Sequence, residues 1–149
     1  MTRIFIDPHM FGEDWFGPCS SEILMSGKAR LAYCEGTKVK KEIETVVKAL
    51  TFYKLAGDMG LRDDANPDAV AKAIGVLEAI PGFAKEAACD DAHIFALNYE
   101  KPCKYIISKD KRMAKCRGEL NKVADKRFCQ FSIIGRDESY QKHKAKIVG

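Results

Sequence analysis

The chain has 149 residues, 46% hydrophobic and 31% charged, with a net charge of +4 at pH 7. A chain of that length favours one domain, with a core that needs no disulfide or metal staple. No window approaches about 18 consecutive apolar residues, which excludes a spanning helix, and the charge is too small for a dedicated nucleic-acid coat protein.

The first residues, "MTRIFIDPHM", lack the apolar stretch and small-residue cleavage site of a secretory signal. They read as a strand over 3–6 that ends on Asp7 and is broken by Pro8. Six cysteines are present, but without a C-x-x-C pair a zinc site of ordinary spacing is not expected. Reduced, packing thiols and a cytoplasmic location are the expectation.

"FGEDWFGPCS" reads as a turn-rich loop, followed by a short helix opened by Ser20 and closed by Gly27. Phe11, Trp15 and Phe16 in that loop would fill core or an interface, or stack on a nucleotide base. "RLAYC" (30–34) is a second strand. Val39, Ile43, Val46, Val47 and Leu50 then recur at helical spacing, predicting one amphipathic helix from Thr37 to the glycines at 57 and 60. "NPDAV" opens another helix, with Asn66 as cap, Pro67 at the first position and Val70, Ile74 and Leu77 as inner stripe. Pro81-Gly82 stops it. A weak further strand is conceivable at 82–86.

The apolar helix after Asp91, with Phe95 and Leu97 as core, ends before Pro102. "KYIIS" (104–108) is a third clear strand. "KRMAKCRGELNKVADK" reads as helix with a break at Gly118, and "FCQFSII" (128–134) as the last strand. Residues 135–149 read as a polar, basic tail outside a 1–134 domain. Strands alternating with helices predict an α/β chain with a largely parallel sheet.

The acids fall at informative places. Asp7 follows the first strand, Asp110 follows "KYIIS", and Asp90 and Asp91 open a helix. Parallel α/β sheets bind ligands beyond the carboxyl ends of their strands, so these loop acids would converge. Glu42 sits beside the buried stripe of its helix. Clustered carboxylates repel unless a cation neutralises them, and hard oxygen ligands select Mg²⁺ or Mn²⁺. Basic clusters at Lys38, Lys40 and Lys41, and at Lys109, Lys111, Arg112, Lys115 and Arg117, would suit a polyanionic substrate. A solvated surface is the plainer reading of any one lysine. Taken singly, each aspartate also reads as a helix cap or turn residue.

These motifs together resemble the PIN domain, the fold of many metal-dependent ribonucleases, including the VapC-like toxins of bacterial toxin–antitoxin pairs. The family's first strand ends in Asp, as "IFID" does. Its strand–helix segment carrying a Glu is similar to "LAYCEGTKVKKEIETVV", with Glu42 the counterpart. Glu44, about 200° away around a helix, could not face the same centre. The family's "D-A-x-I-x-A" helix start is matched by "DAHIFAL", and its strand leading to T/S-x-D by "YIISKD". The resemblance runs from about residue 3 to 134. In one respect the chain departs from it: His9 stands where the family commonly has Asn or Ser.

The resemblance implies a three-layer α/β/α fold with a mostly parallel sheet of about five strands. It also implies Mg²⁺- or Mn²⁺-dependent endoribonuclease activity that leaves a 5′-phosphate and a 3′-hydroxyl. Asp7, Glu42, Asp91 and Asp110 would be catalytic, with Asp7, Asp91 and Asp110 holding metal. Asp90 (as helix cap), Ser108 and His9 would support them, and Lys109, Lys111 and Arg112 would contact RNA, single-stranded or structured. His93 would hydrogen-bond Asp90 or lie exposed. An antitoxin protein and a homodimer are partners the family suggests; a membrane is not. Two other functions stand beside this one. A degenerate PIN domain would bind RNA or protein without cutting, a reading that His9 motivates. A haloacid-dehalogenase-type phosphohydrolase would want D-x-D after the first strand, and "DPH" lacks the second Asp.

Overall fold

Strand β1 (Thr2–Ile6) forms the middle of a five-stranded sheet. On one side follow β2 (Ala29–Cys34) and β3 (Arg62–Ala65); on the other, β4 (Tyr105–Ile107) and β5 (Ser132–Ile134). The order is β3-β2-β1-β4-β5, and every pair is parallel. The computed structural model describes residues 1–83 and 90–149. Its helices are α1 (Phe16–Ser26), α2 (Lys38–Glu44), α3 (Val47–Asp58), α4 (Pro67–Glu78), α5 (Ala92–Glu100), α6 (Lys111–Val123) and α7 (Asp137–Val148), completing a three-layer α/β/α fold. None of them is long and apolar enough to cross a membrane.

Sheet order reverses between β1 and β4, because the chain first winds outward through β2 and β3 and then crosses back. Crevices at such a switch point open beyond the carboxyl ends of the strands. Both faces of a parallel sheet are covered, so its central strands are apolar throughout: Ile4, Phe5 and Ile6 of β1 and Tyr105, Ile106 and Ile107 of β4 are all buried. The β1–β2 register runs from Thr2↔Ala29 to Ile4↔Leu31. Beyond it, the Tyr53 hydroxyl from α3 accepts from the Ile6 amide at 3.1 Å and donates to the Ile6 carbonyl at 3.2 Å. A phenol thus stands where a neighbouring strand would be.

Several expectations need correcting. The strand missing from the sequence reading is β3, and the weak strand expected at 82–86 falls largely outside the described residues. Gly82 lies in a turn at φ 83°, and residues 84–86 lie outside the described residues. β3 reads "RDDA", which carries no apolar signal because it is a sheet edge held by charge. Asp63 accepts from Arg3 Nε at 2.8 Å and from Arg30 Nε at 3.0 Å, tying β3 to β1 and β2. The helix expected from Thr37 onward is two helices. Thr45 Oγ1 donates to the Glu42 carbonyl at 2.6 Å and Val46 is extended, so the chain turns before α3 starts. Val47, placed on the inner stripe by the single-helix reading, is consequently 77% exposed.

The loop before α1 is shorter than expected, since α1 starts at Phe16 rather than Ser20; Gly27, at φ 64°, closes it as expected. Phe11 and Phe16 are core, in edge-to-face contact at 5.4 Å, and Trp15 packs partly buried beside them. Gly118 does not break α6. The last strand is limited to Ser132–Ile134, because Lys126–Phe128 forms a 3-10 turn. The segment read as a tail is α7. Its Tyr140 is fully buried and Ile147 nearly so, while Lys144 pairs with Glu22 of α1 at 2.8 Å. Its apolar residues are too widely spaced among lysines to signal a helix by composition. Cys19, Cys34, Cys103 and Cys129 are free thiols, as expected, but Cys116 is disulfide-bonded. Cys89 lies outside the described residues.

Candidate functional site

At the switch point an open cleft of about 520 Å³ gathers Asp7, Glu42, Asp90, Asp91 and Asp110. His9, Lys38, Lys109, Lys111 and Arg112 also line it. Each acid arrives there for a local reason.

Asp7 is the first residue past β1. Its amide donates to the Ile107 carbonyl at 2.9 Å, which continues the β1–β4 ladder by one step. Pro8 then forces the turn. Asp7 Oδ1 accepts from the His9 amide at 3.0 Å, and Oδ2 accepts from Ser108 Oγ at 2.9 Å. Only 8% exposed, Asp7 has both oxygens engaged and points into the cleft floor. Ser108, 1% exposed, is the hub of this arrangement. Its hydroxyl donates to Asp7 and accepts from the Asp110 amide at 3.2 Å, so one side chain sets two acid-bearing turns. The chain past β5 must come close for this. A Cβ on Gly135 would meet the Ser108 carbonyl at 2.9 Å, a contact that excludes any side chain there.

Asp110 caps α6, accepting from the Arg112 amide at 2.9 Å. Burial raises its pKa, but the bonds from Arg112 outweigh that and hold it below the usual range. Arg112 also reaches Asp90 Oδ2 at 3.3 Å, so its guanidinium bridges two of the acids.

Asp91, not Asp90, occupies the position before α5, and its side chain makes no capping bond. The expectation that Asp90 caps is therefore corrected. Asp90 is exposed, and its carboxylate joins those of Asp91 and Asp110, with one oxygen of each within 4.8 Å of the others. Asp91 Oδ2 is buried with no hydrogen-bond partner among the described residues. Burial, then the charges of Asp90, Asp110 and Asp7, push Asp91 up to about 6, although His93 opposes them. An unpaired, buried carboxylate oxygen beside two more carboxylates is a donor set suited to a hard divalent cation, which would satisfy the oxygen and cancel the repulsion.

Glu42 enters from α2. His93, expected to bond Asp90 or lie exposed, is instead 2% exposed and places Nε2 3.1 Å from Glu42 Oε2. Burial raises the Glu42 pKa, but His93, Lys38 and His9 together lower it below the usual range. An ionised carboxylate only accepts, so Nε2 carries the proton. Glu44 points elsewhere, pairing with Lys40 at 3.6 Å.

Lys38, one turn before Glu42, pairs with it at 3.7 Å and lines the same cleft, its Nζ donating to the Asp90 carbonyl at 3.4 Å. Of the basic cluster expected at 38, 40 and 41, Lys38 lines the cleft, whereas Lys40 pairs with Glu35 at 2.8 Å. Lys109 pairs with Glu13 at 3.5 Å. Lys115 and Arg117 do not line the cleft; Arg117 donates to the Phe131 carbonyl at 2.7 Å. The His9 side chain is exposed at the cleft edge.

No family model, curated protein or solved structure matches this chain.

Proposed function

We propose that this chain is a Mg²⁺- or Mn²⁺-dependent endoribonuclease of the PIN-domain kind. The observation that carries the reading is the buried Oδ2 of Asp91, without a hydrogen-bond partner among the described residues and set among Asp7, Asp90 and Asp110 at the sheet's switch point. The strand order and the lysine and arginine rim around an acidic centre support it further.

Asp7, Asp91 and Asp110 would hold the ion, and Asp90 is near enough to join them. When bound, the ion would lower the pKa of a water and neutralise charge on the phosphoryl oxygens. Ser108 keeps the Asp7 carboxylate oriented throughout. Glu42, ionised at neutral pH, is the group available to accept a proton from the attacking water. Attack on phosphorus breaks the P–O3′ bond, leaving a 5′-phosphate and a 3′-hydroxyl that takes up a proton. Lys38, Lys109, Lys111 and Arg112, which line the cleft, offer cations to the flanking phosphates.

The cleft is open, which suits a single-stranded segment of RNA laid across it. A cytoplasmic setting, a homodimer and service as the toxin of a toxin–antitoxin pair belong to the same proposal. A small antitoxin-like reading frame beside the gene would support the toxin role.

The direct test incubates purified protein with varied single-stranded RNAs and Mg²⁺ or Mn²⁺. Cleavage is expected with one ion or both, and its loss with EDTA and in Asp91→Asn. No cleavage of any RNA with either ion would overturn the proposal. A second reading, an RNA-binding module that does not cut, draws on His9 in place of the family's small polar residue. Retained RNA binding without measurable Mn²⁺ affinity would favour it.

A further inference from the structure

We infer that His93 is a positioning residue that fixes the Glu42 carboxylate in the cleft through its Nε2–H···Oε2 hydrogen bond. The inference rests on the nuclease reading only for the consequence in catalysis; the contact itself stands independently.

Glu42 lies on a helix of seven residues that ends at Glu44. A helix this short has little rigidity of its own. Glu42's other close partner, Lys38, is 3.7 Å away and its side chain is 55% exposed, which makes it a weak anchor. His93 differs in each respect. Its side chain is 3% exposed and it stands in the first turn of α5, followed by the buried Ile94, Phe95, Ala96 and Leu97. It also stands two residues after Asp91, so one helix start carries both a candidate metal ligand and the group that orients Glu42. A buried imidazole with its N–H unpaired would be costly, which favours keeping the bond made.

The consequence is a division of labour on α5. Asp91 faces the centre of the cleft, while His93 reaches across to α2 and holds Glu42 toward the same centre. Displacing a reacting group by about 1 Å can cost on the order of 10²-fold in rate. His93→Ala should therefore lower kcat about 10- to 100-fold while leaving KM for RNA nearly unchanged. His93→Gln, which keeps an N–H donor at similar reach, should recover much of that loss.

The test combines ring ¹⁵N spectra with a double-mutant cycle on the full chain. In the wild-type protein the His93 ring is expected as the Nε2–H form, and Glu42→Gln should shift its Nε2 resonance. In the Glu42→Gln background, His93→Ala should cost little further rate, because the group it positions is already disabled. An Nε2 resonance that ignores Glu42→Gln would overturn the inference. So would rate losses that multiply in the double variant, or a His93→Gln protein no better than His93→Ala. Thermal unfolding of each variant distinguishes a misfolded protein from a mispositioned one, since only a folded variant enters the cycle. If the wild-type protein cuts no RNA, the nuclease reading fails by itself, and the spectra alone decide whether His93 holds Glu42.

Discussion

Ser108 Oγ donates to Asp7 Oδ2 at 2.9 Å, joining residues 101 positions apart in the chain. The same hydroxyl accepts from the Asp110 amide, so it couples the turn after β1 to the turn after β4. Ser108→Ala should destabilise the fold by about 1–2 kcal/mol, because the Asp110 amide and Asp7 each lose a partner. Urea unfolding measures that cost. Mn²⁺ affinity should weaken in the same variant; an unchanged affinity would mean that Asp7 needs no such support.

Asp91 makes a pH-dependent prediction. Its pKa is pushed from 3.8 up to about 6 in the folded protein. A raised folded pKa means that the folded state holds the proton more tightly, so this group favours folding at low pH. That contribution is complete below about pH 4 and is lost as pH rises through about 6. Asp91→Asn should therefore stabilise the protein in EDTA at pH 7.5 by about 1–3 kcal/mol, and the difference should vanish near pH 4. Thermal melts across that range check it. Mn²⁺ should raise the Tm of the wild-type protein and leave Asp91→Asn nearly unmoved.

Asp63 titrates in the opposite sense. Burial raises its pKa, but the bonds from Arg30 and Arg3 overcome this and hold it low. Its contribution to stability is present above the unfolded pKa and is lost as pH falls through the folded value. Asp63→Asn should cost about 1–2 kcal/mol at pH 7, discounted because the arginines are partly exposed. Once the pH is low enough to protonate Asp63 in the folded state as well, the two proteins should unfold alike. Protection of β3 amides in hydrogen exchange should fall first.

The basic rim is open to a salt-dependence test. Lys111→Ala and Arg112→Ala should each weaken RNA binding across unrelated sequences. Each should also flatten the slope of log K against log salt by about 0.7 for a single strand. A loss confined to one RNA sequence would point to base contacts instead.

Where local chemistry decides an element, the sequence could be read. Asn66-Pro67 starts α4 with the Asn side chain accepting from Asp68 and Ala69 amides, and Gly27 ends α1. The strand-end acids were legible because apolar runs stop abruptly at Asp7 and before Asp110. Elements held together by distant partners were not. β3 is a strand because Arg3 and Arg30 grip Asp63, and neither arginine is near it in sequence. α7 was hidden because two buried residues, Tyr140 and Ile147, anchor an otherwise charged helix. In the cleft, the positions of the acids were predictable but their partners were not. Ser108 was expected as support, whereas Asp90 lies with the other carboxylates rather than capping. The bond from His93 to Glu42 spans 51 residues and leaves no trace in either local pattern.

Both hydrogen bonds of the Tyr53 hydroxyl go to Ile6, so the phenol fastens α3 to the last residue of β1. That residue stands directly before Asp7. The strand end that carries the deepest acid of the cleft is thus held from the hydrophobic interior, by a side chain outside the ring of charged groups. Variation at position 53 would loosen the seat of Asp7 without altering a single residue that lines the cleft.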